Sequence, residues 1–322
     1  MEMKSMQALR FDRYGAPEVL ELREIALRDL LPGEVLIEVH AAAINPSDVK
    51  NVRGLFQTPL PRVPGRDYAG VVVKGDGLVG LEVWGSGAGF GMLRDGAHAQ
   101  YVIAPADGLS EKPLNLSMAQ AAAVGAPFVT AWTALVRAAS LRAGEAVLII
   151  GVSGAVGRAA VQIAHLRKAA VIGVARAEAN PAGADTLIDS TSAPIPEAVM
   201  AATNGRGVDV VLDTVGGPMF EPALRSLAPG GRHVAITSVG ERRVSLDLVD
   251  FYHNQSRLIG VDTIKLTGAE IAGILNAQRS AFEDGRLLPP EVEPSAPEEA
   301  VAAYGRAALG GGKKQVLVFH PG

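Results

Sequence analysis

The sequence predicts an α/β protein in which a mostly β region precedes a doubly wound parallel sheet. Three observations carry this. Residues 1–110 are built of short β-branched runs, "EVLIEVHAAAI", "AGVVV" and "AQYVIA", punctuated by Pro32-Gly33, Pro64-Gly65, Gly75 and Gly77. From residue 146 onward, continuous apolar strands alternate with helical segments, the pattern of a parallel sheet covered on both faces. At the first strand-to-helix junction of that region stands a glycine-rich loop, within "AVLIIGVSGAVGRAAVQIA". At ~100–200 residues per domain, 322 residues suggest two domains. A chain 48% hydrophobic and 20% charged has an ordinary globular composition.

Taken in order, the texture changes near residue 117, where "SMAQAAAVGAPFVTAWTALVRAAS" reads as helix with Ser117 as its N-cap. "AVLIIG" is a strand and "AVGRAAVQIAHLRKA" a helix. "AVIGVA" and "TLID" are strands, "IPEAVMAAT" a helix, "VDVVLDTV" a strand, "PMFEPALRSLA" a helix and "RHVAITSV" a strand. "SRLIGVDTI" is a further strand candidate, and residues 269–285 form a helix. The Pro- and Glu-rich "LLPPEVEPSAPEEA" reads as a loop running into a last helix, and "KQVLVF" as a final strand. There is no internal repeat or low-complexity tract. One crossover is short: only nine residues, Ala177 to Asp185, separate "VIGVAR" from "TLID". A parallel crossover usually takes a dozen or more, so the spacing predicts that a full helix is missing there.

Charge and composition exclude several classes. The formal net charge is -4, and the tight basic pairs Arg242–Arg243 and Lys313–Lys314 are too short for a nucleic-acid footprint. Without a cysteine there is no disulfide, thiol catalysis or thiolate metal site. This suits a reducing cytoplasm, the expected location. The start, "MEMKSMQALRFDRYG", lacks the apolar stretch of a secretory signal. No window reaches ~18 uncharged apolar residues, so no membrane span is expected. The nearest, "AQAAAVGAPFVTAWTALV", reads as helix and turn.

Gly151, Gly154 and Gly157 end a strand and open a helix. The first glycine permits the turn, the second lets a pyrophosphate approach the backbone, and the third lets helix and strand pack closely. Free N–H groups at the helix start, with the helix dipole, favour phosphate. The spacing is G-x-x-G-x-x-G rather than the usual G-x-G-x-x-G, with Ser153, Ala155 and Val156 completing the cradle. A dinucleotide site is expected, and a plain structural turn is the alternative. A carboxylate at the tip of the next strand would take the ribose 2′-hydroxyl of NAD, and an arginine the 2′-phosphate of NADP. Here "VIGVARAE" ends in Ala175-Arg176, with Glu178 two residues further on. A guanidinium grips phosphate through paired hydrogen bonds. NADPH is therefore the expected cofactor, the alternative being a solvated Arg176. Thr214, Val215, Gly216, Ser238, Gly260 and Val261 fall at the carboxyl ends of expected strands, where a doubly wound sheet binds its ligand.

The assembled pattern resembles the medium-chain dehydrogenase/reductase superfamily, and within it the zinc-independent quinone oxidoreductase branch that includes the zeta-crystallins. The motifs run in the family's order over nearly the whole chain: "RFDRYGAPEVLEL" (10–22), "AAAINPSDVKNVRG" (41–54), "VPGRDYAGVV" (63–72), "GAHAQYVIAPAD" (96–107), "AAAVGAPFVTAWTAL" (121–135), "GVSGAVGRAAVQIA" (151–164), "VDVVLDTVGG" (208–217) and "LAPGGRHVAI" (227–236). The resemblance implies a GroES-like β domain from residues 1–122 and 266–322 and a Rossmann domain from 123–265, with the active site in the cleft between them. It also implies a homodimer, through an edge strand of the Rossmann sheet.

Zinc-dependent members place a cysteine where "INPSD" stands, and a histidine and glutamate where "GRD" stands. This chain has Asn45, Arg66 and Asp67 there. Arg66 cannot ligate zinc, and Asn45 is a poor substitute for a thiolate. No metal is expected, and each of the six histidines reads as a packing or surface residue. Arg66 and Asp67 are expected at the substrate cleft, paired with each other or with the "NPSD" loop.

The resemblance further implies Asn45 and Asp48 beside the nicotinamide ribose and the substrate carbonyl, with Asn45 as a plain turn residue the alternative. Lys50 stands where relatives often carry a substrate-facing tyrosine. It is either a donor to substrate or an exposed loop lysine. Thr130 resembles the threonine near the nicotinamide amide, or it packs inside its helix. Ser190 stands where relatives often have a tyrosine near the adenosine phosphate. Lys314 either reaches the cofactor or is solvated.

Without a Lewis acid, the suitable acceptors delocalise incoming hydride charge themselves, as quinones and α,β-unsaturated carbonyls do. The expected activity is hydride transfer from NADPH to such a small-molecule acceptor. An enoyl-thioester reductase, with Arg53 and Arg62 for the CoA phosphates, and a non-enzymatic NADPH-binding protein remain alternatives.

Overall fold

The computed structural model describes residues 4–75, 77–176, 182–310 and 312–319. The chain opens with strands β1 (Ser5–Arg10), β2 (Glu21–Ala26) and β3 (Glu34–Ala43), then helix α1 (Pro46–Val52). Strands β4 (Asp67–Lys74), β5 (Glu82–Gly85), β6 (Tyr101–Pro105) and β7 (Ser110–Glu111) follow, and then helix α2 (Met118–Trp132). Next come β8 (Ala146–Ile150), α3 (Ala155–Leu166), β9 (Ala170–Ala175), β10 (Thr186–Asp189), α4 (Ile195–Ala202), β11 (Val208–Asp213), α5 (Phe220–Arg225) and β12 (Leu227–Ala235). The last elements are α6 (Leu248–His253), β13 (Arg257–Gly260), α7 (Gly268–Glu283), β14 (Val292–Ser295), α8 (Ala300–Leu309) and β15 (Lys314–Val318). These divide into two compact units, Met1–Val129 with Ile264–Gly322, and Thr130–Thr263. The first holds the GroES-like fold and the second the Rossmann-like one.

In the first unit a seven-stranded sheet runs β14-β15-β3-β4-β5-β7, with β6 also paired to β3; β1 and β2 form a separate antiparallel pair. Strand β3 is central because seven of its ten residues are apolar and can be covered by neighbouring strands: Val35, Ile37, Val39 and Ala42 pack with Tyr68, Val72, Val83 and Phe90. A second cluster, with Ile44, Val49, Val52, Tyr304 and Leu317, seats α1 and α8.

The segment "LLPPEVEPSAPEEA" is not all loop. It contains β14, parallel to β15 with Val292 opposite Lys314 and Ser295 opposite Leu317. Pro294 lacks an N–H, but β14 is an edge strand, where that donor is not needed for the ladder. Proline and glutamate masked the strand in the sequence.

Helix α2 starts as read. Gln120 N–H donates to Ser117 Oγ (3.2 Å) and Ser117 N–H to Gln120 Oε1 (3.0 Å), a reciprocal cap. It continues into a wider π-type turn, Thr133–Ala138. Contrary to expectation, Met118–Ala138 is long and apolar enough to cross a membrane by length and composition, but 67% of its most apolar window is buried inside the protein, as in a core helix.

The second unit is a six-stranded parallel sheet, β10-β9-β8-β11-β12-β13. Chain order reverses between β8 and β11, which makes the switch point where such sheets bind ligands. Strand β12 begins at Leu227 rather than at Arg232 and ends at Ala235, so Ile236 to Val239 lie beyond it. Its early start runs through Pro229-Gly230-Gly231 by a register shift against β11. The short crossover falls partly on residues 177–181, outside the described residues; Ala182 to Asp185 hold no helix, and β10 pairs directly with β9.

Candidate functional site

In the first unit, strand register assembles a polar cluster. Ala43, at the end of β3, lies opposite Asp67 on β4 and opposite Val316 on β15. Two residues beyond Ala43 comes Asn45, and two before Val316 comes Lys314; in an antiparallel pair these meet. Asn45 Nδ2 donates to Asp67 Oδ2 (2.8 Å), and Lys314 Nζ donates to Asn45 Oδ1. An ammonium only donates and an ionised carboxylate only accepts, so the amide has one orientation. Lys314 is half-buried rather than solvated.

Asp67 is fully enclosed, and its oxygens take three donors: Ser86 Oγ–H (2.6 Å) on Oδ1, and Asn45 Nδ2 and the Ala126 N–H (2.9 Å) on Oδ2. The Ala126 bond needs Gly125 on α2. A Cβ built there would lie 2.4 Å from Asp67 Cγ. Of the two expected pairings, Asp67 takes that with the "NPSD" loop, and not that with Arg66.

Asp48 lies in the first turn of α1, capped by Asn45, and its Oδ2 accepts the Asn45 N–H (2.8 Å). Burial pushes its carboxyl up to about 6, with Asp67 adding to the rise while Asn45 N–H, Arg66 and Lys314 oppose it. Burial lowers the Lys314 ammonium, against the pull of Asp67 and Asp48. Lys50 is half-buried on the same helix two residues after Asp48. That spacing faces it elsewhere, and it makes no side-chain hydrogen bond or ion pair among the described residues.

Beneath the cluster, His98 and Tyr304 are wholly buried. His98 Nε2 meets Ala43 O at 3.2 Å, and Tyr304 Oη meets Nδ1 at 2.8 Å. A carbonyl can only accept, so Nε2 carries the proton and the phenol donates to Nδ1. Burial lowers the imidazole to about 4 and raises the phenol well above its ordinary value, keeping both neutral. Nothing in the sequence singled out Ser86, Gly125 or Tyr304. The one available signal was a glycine two residues before Pro127 inside an apolar helix.

In the second unit, Gly151 has φ +78°, and Gly154 caps α3 with no side chain to occupy the first-turn N–H groups. A Cβ on Gly157 would lie 2.4 Å from Gly151 O. Thr214 Oγ1 donates to Ile150 O (2.7 Å) beside the loop, at the β8–β11 switch point. Gly216 has φ +67°, and a Cβ on it would meet Thr237 O and Ser238 Cα, so the loops after β11 and β12 close on one another. Ser190 N–H donates to Ala175 O, and Val261 N–H to Ala235 O. Arg176 stands exposed at the end of β9. Thr130 Oγ1 lies 3.4 Å from Thr263 Oγ1. A nicotinamide dinucleotide fits this loop set, with the bare backbone of residues 151–157 for its pyrophosphate.

A zinc ion does not fit the first unit's cluster. Arg66 brings positive charge, the Asp67 oxygens already hold three donors, and no group of three His, Cys, Asp or Glu able to hold a metal forms among the described residues.

Comparison with known proteins agrees with both units. Residues 31–114 match the alcohol dehydrogenase GroES-like domain family, and residues 155–276 the zinc-binding dehydrogenase family. The chain is 36% identical to a zinc-type alcohol dehydrogenase-like protein of Schizosaccharomyces pombe, over 93% of each chain. It is 30% identical to human quinone oxidoreductase over 89% of each. A 2-methylene-furan-3-one reductase of Solanum lycopersicum is 39% identical over 49% of this chain and 44% of its own length. Among solved structures, an NAD-dependent alcohol dehydrogenase superposes with a TM-score of 0.85 at 31% identity, covering 98% of this chain and 100% of that one. An alcohol dehydrogenase superfamily protein from Novosphingobium aromaticivorans gives 0.86 at 29%, with the same coverage. The chain therefore belongs to the quinone oxidoreductase-like branch of the medium-chain dehydrogenase/reductase superfamily, oxidoreductases that use a nicotinamide dinucleotide.

Proposed function

We propose that this protein transfers hydride from NADPH to a quinone or an α,β-unsaturated carbonyl without zinc. The observation that carries the acceptor class is the Asn45–Asp67–Lys314 interlock, which offers fixed donors and positive charge in place of a ligand set. An acceptor that delocalises charge onto its own oxygen needs such donors. The names of two relatives, quinone oxidoreductase and 2-methylene-furan-3-one reductase, both describe conjugated acceptors. For the cofactor, the tip of β9 carries exposed Arg176, which suits a 2′-phosphate.

Bound NADPH supplies the hydride. Asp67 holds the Asn45 amide so that one Nδ2 hydrogen and the remaining Lys314 protons are free for an oxygen gaining negative charge. Burial makes Lys314 the readier proton donor, because its ammonium is already disfavoured. Arg62, considered for a CoA phosphate, is held by Asp95 at 3.3 Å, which leaves exposed Arg53 as the candidate for the thioester alternative. The dimer would form through β13, the outer strand of its sheet, where Leu258 is exposed. A monomer in sedimentation would refute that.

The test is oxidation of NADPH and of NADH with a panel of quinones, enones and enoyl thioesters. Turnover with quinones or enones, faster with NADPH, is expected. No turnover with any of them refutes the proposal.

A further inference from the structure

Arg66 is 6% exposed, yet its side chain makes no hydrogen bond or ion pair among the described residues. Of the buried Asp, Lys and Arg side chains described, it alone is in this position: Asp48, Asp67, Lys112 and Asp213 all have hydrogen-bond partners. Its nearest carboxylate in sequence cannot help, since Asp67 is occupied by Ser86, Asn45 and Ala126. Asp48 and Lys314 both feel the Arg66 charge, which puts the guanidinium beside the proposed donors. None of its nitrogens is among the fully enclosed unpartnered atoms, whereas the Nε atoms of Arg62 and Arg94 are. The Arg66 head therefore retains an opening while the rest of the side chain is covered.

A buried guanidinium with no acceptor is costly. It becomes favourable when a full negative charge arrives in the same plane. A carboxylate matches the guanidinium fork with two parallel hydrogen bonds, whereas a neutral carbonyl meets only part of the charge.

We infer that Arg66 binds a carboxylate carried by the acceptor, so that the preferred substrates are conjugated carbonyl compounds bearing an ionised carboxyl group. This rests on the hydride-transfer reading above. It adds a specificity contact that the family assignment does not supply.

The probes are 4-oxo-2-pentenoate and its methyl ester, assayed with saturating NADPH on the full chain. Wild type should favour the acid in kcat/KM. Arg66→Met should lower the acid-to-ester ratio on the order of 10- to 100-fold, mainly through KM for the acid, and Arg66→Lys should restore part of it. An unchanged ratio, equal losses on acid and ester, or a wild type that prefers the ester would each overturn the inference. Binding of the unreactive 4-oxopentanoate, read by calorimetry, needs no turnover. If no acceptor is reduced but 4-oxopentanoate binds wild type and not Arg66→Met, the hydride-transfer reading fails while the carboxylate site stands. A melting temperature at or above wild type is expected for Arg66→Met, because an unpaired buried charge is removed. A large fall would assign Arg66 to the scaffold and overturn the inference.

Discussion

Gly125→Ala tests whether the cluster geometry is held from behind by α2. The added Cβ would stand 2.4 Å from Asp67 Cγ and 2.5 Å from Oδ1, inside van der Waals contact, and Asp67 is fully enclosed with nowhere to go. Overpacking of this kind costs about 1–3 kcal/mol. Moving the carboxylate breaks at least one hydrogen bond to a charged group, about 1.5–3 kcal/mol more. Against this, alanine in place of glycine favours a helix interior by about 1 kcal/mol. The sum is a destabilisation of about 1.5–5 kcal/mol. The control is the same exchange at Gly273 in α7, which is exposed with nothing within 4 Å of its would-be Cβ, so only the helix gain remains. Urea unfolding followed by the fluorescence of Trp84, in the same unit as both glycines, should show opposite signs for the two variants. A Gly125→Ala protein as stable as wild type would refute the reasoning, since Asp67 would then be free to move without loss.

Three further outcomes follow from the site. Asp48 has a folded-state value near 6 against an ordinary 3.8, so its neutral form is favoured by the fold. Its contribution is complete below about 3.8 and lost as pH rises through about 6; stability of wild type relative to Asp48→Asn should fall by about 3 kcal/mol across that window. Equal pH dependence in the two proteins would contradict the burial argument. Arg176→Glu should weaken NADPH on the order of 100-fold in calorimetry and NADH only slightly; equal losses would remove Arg176 from the 2′-phosphate. Tyr304→Phe strips the donor from buried His98 Nδ1 and should cost about 1–3 kcal/mol in chemical unfolding, while an unchanged midpoint would mean water replaces the phenol.

Local signals were readable wherever one short segment carried the whole physics. The strand, glycine turn and helix start at Gly151 to Gly157 are consecutive residues, and their backbone requirement shows in the sequence. Parallel strands β8 and β9 announced themselves by unbroken apolar runs, AVLII and AVIGVA. By contrast, Asn45, Asp67 and Lys314 meet because three distant strands share a register at Ala43, and no window of sequence contains that register. Lys314 looked like half of an exposed basic pair for the same reason. Arg66 and Asp67 are neighbours in the chain, so pairing between them stood beside pairing with the "NPSD" loop as a reading of the sequence. On a strand, successive side chains point to opposite faces, and Asp67 turns instead to Asn45, Ser86 and the Ala126 N–H. β14 was hidden because proline normally ends a strand, and its edge position could be known only from the finished sheet.

The bond between Lys314 and Asn45 joins residues 269 positions apart, across a unit whose two segments flank the whole parallel sheet. During synthesis the inserted unit is complete long before β15 emerges. Until then the Ala41–Ala43 edge of β3 lacks its partner, leaving an apolar strand open to stray pairing. Strand β15 therefore caps that edge and delivers the lysine together. A chain lacking β15 would keep the residues of its parallel sheet, yet would leave the Ala41–Ala43 edge uncovered and Asn45 without its lysine.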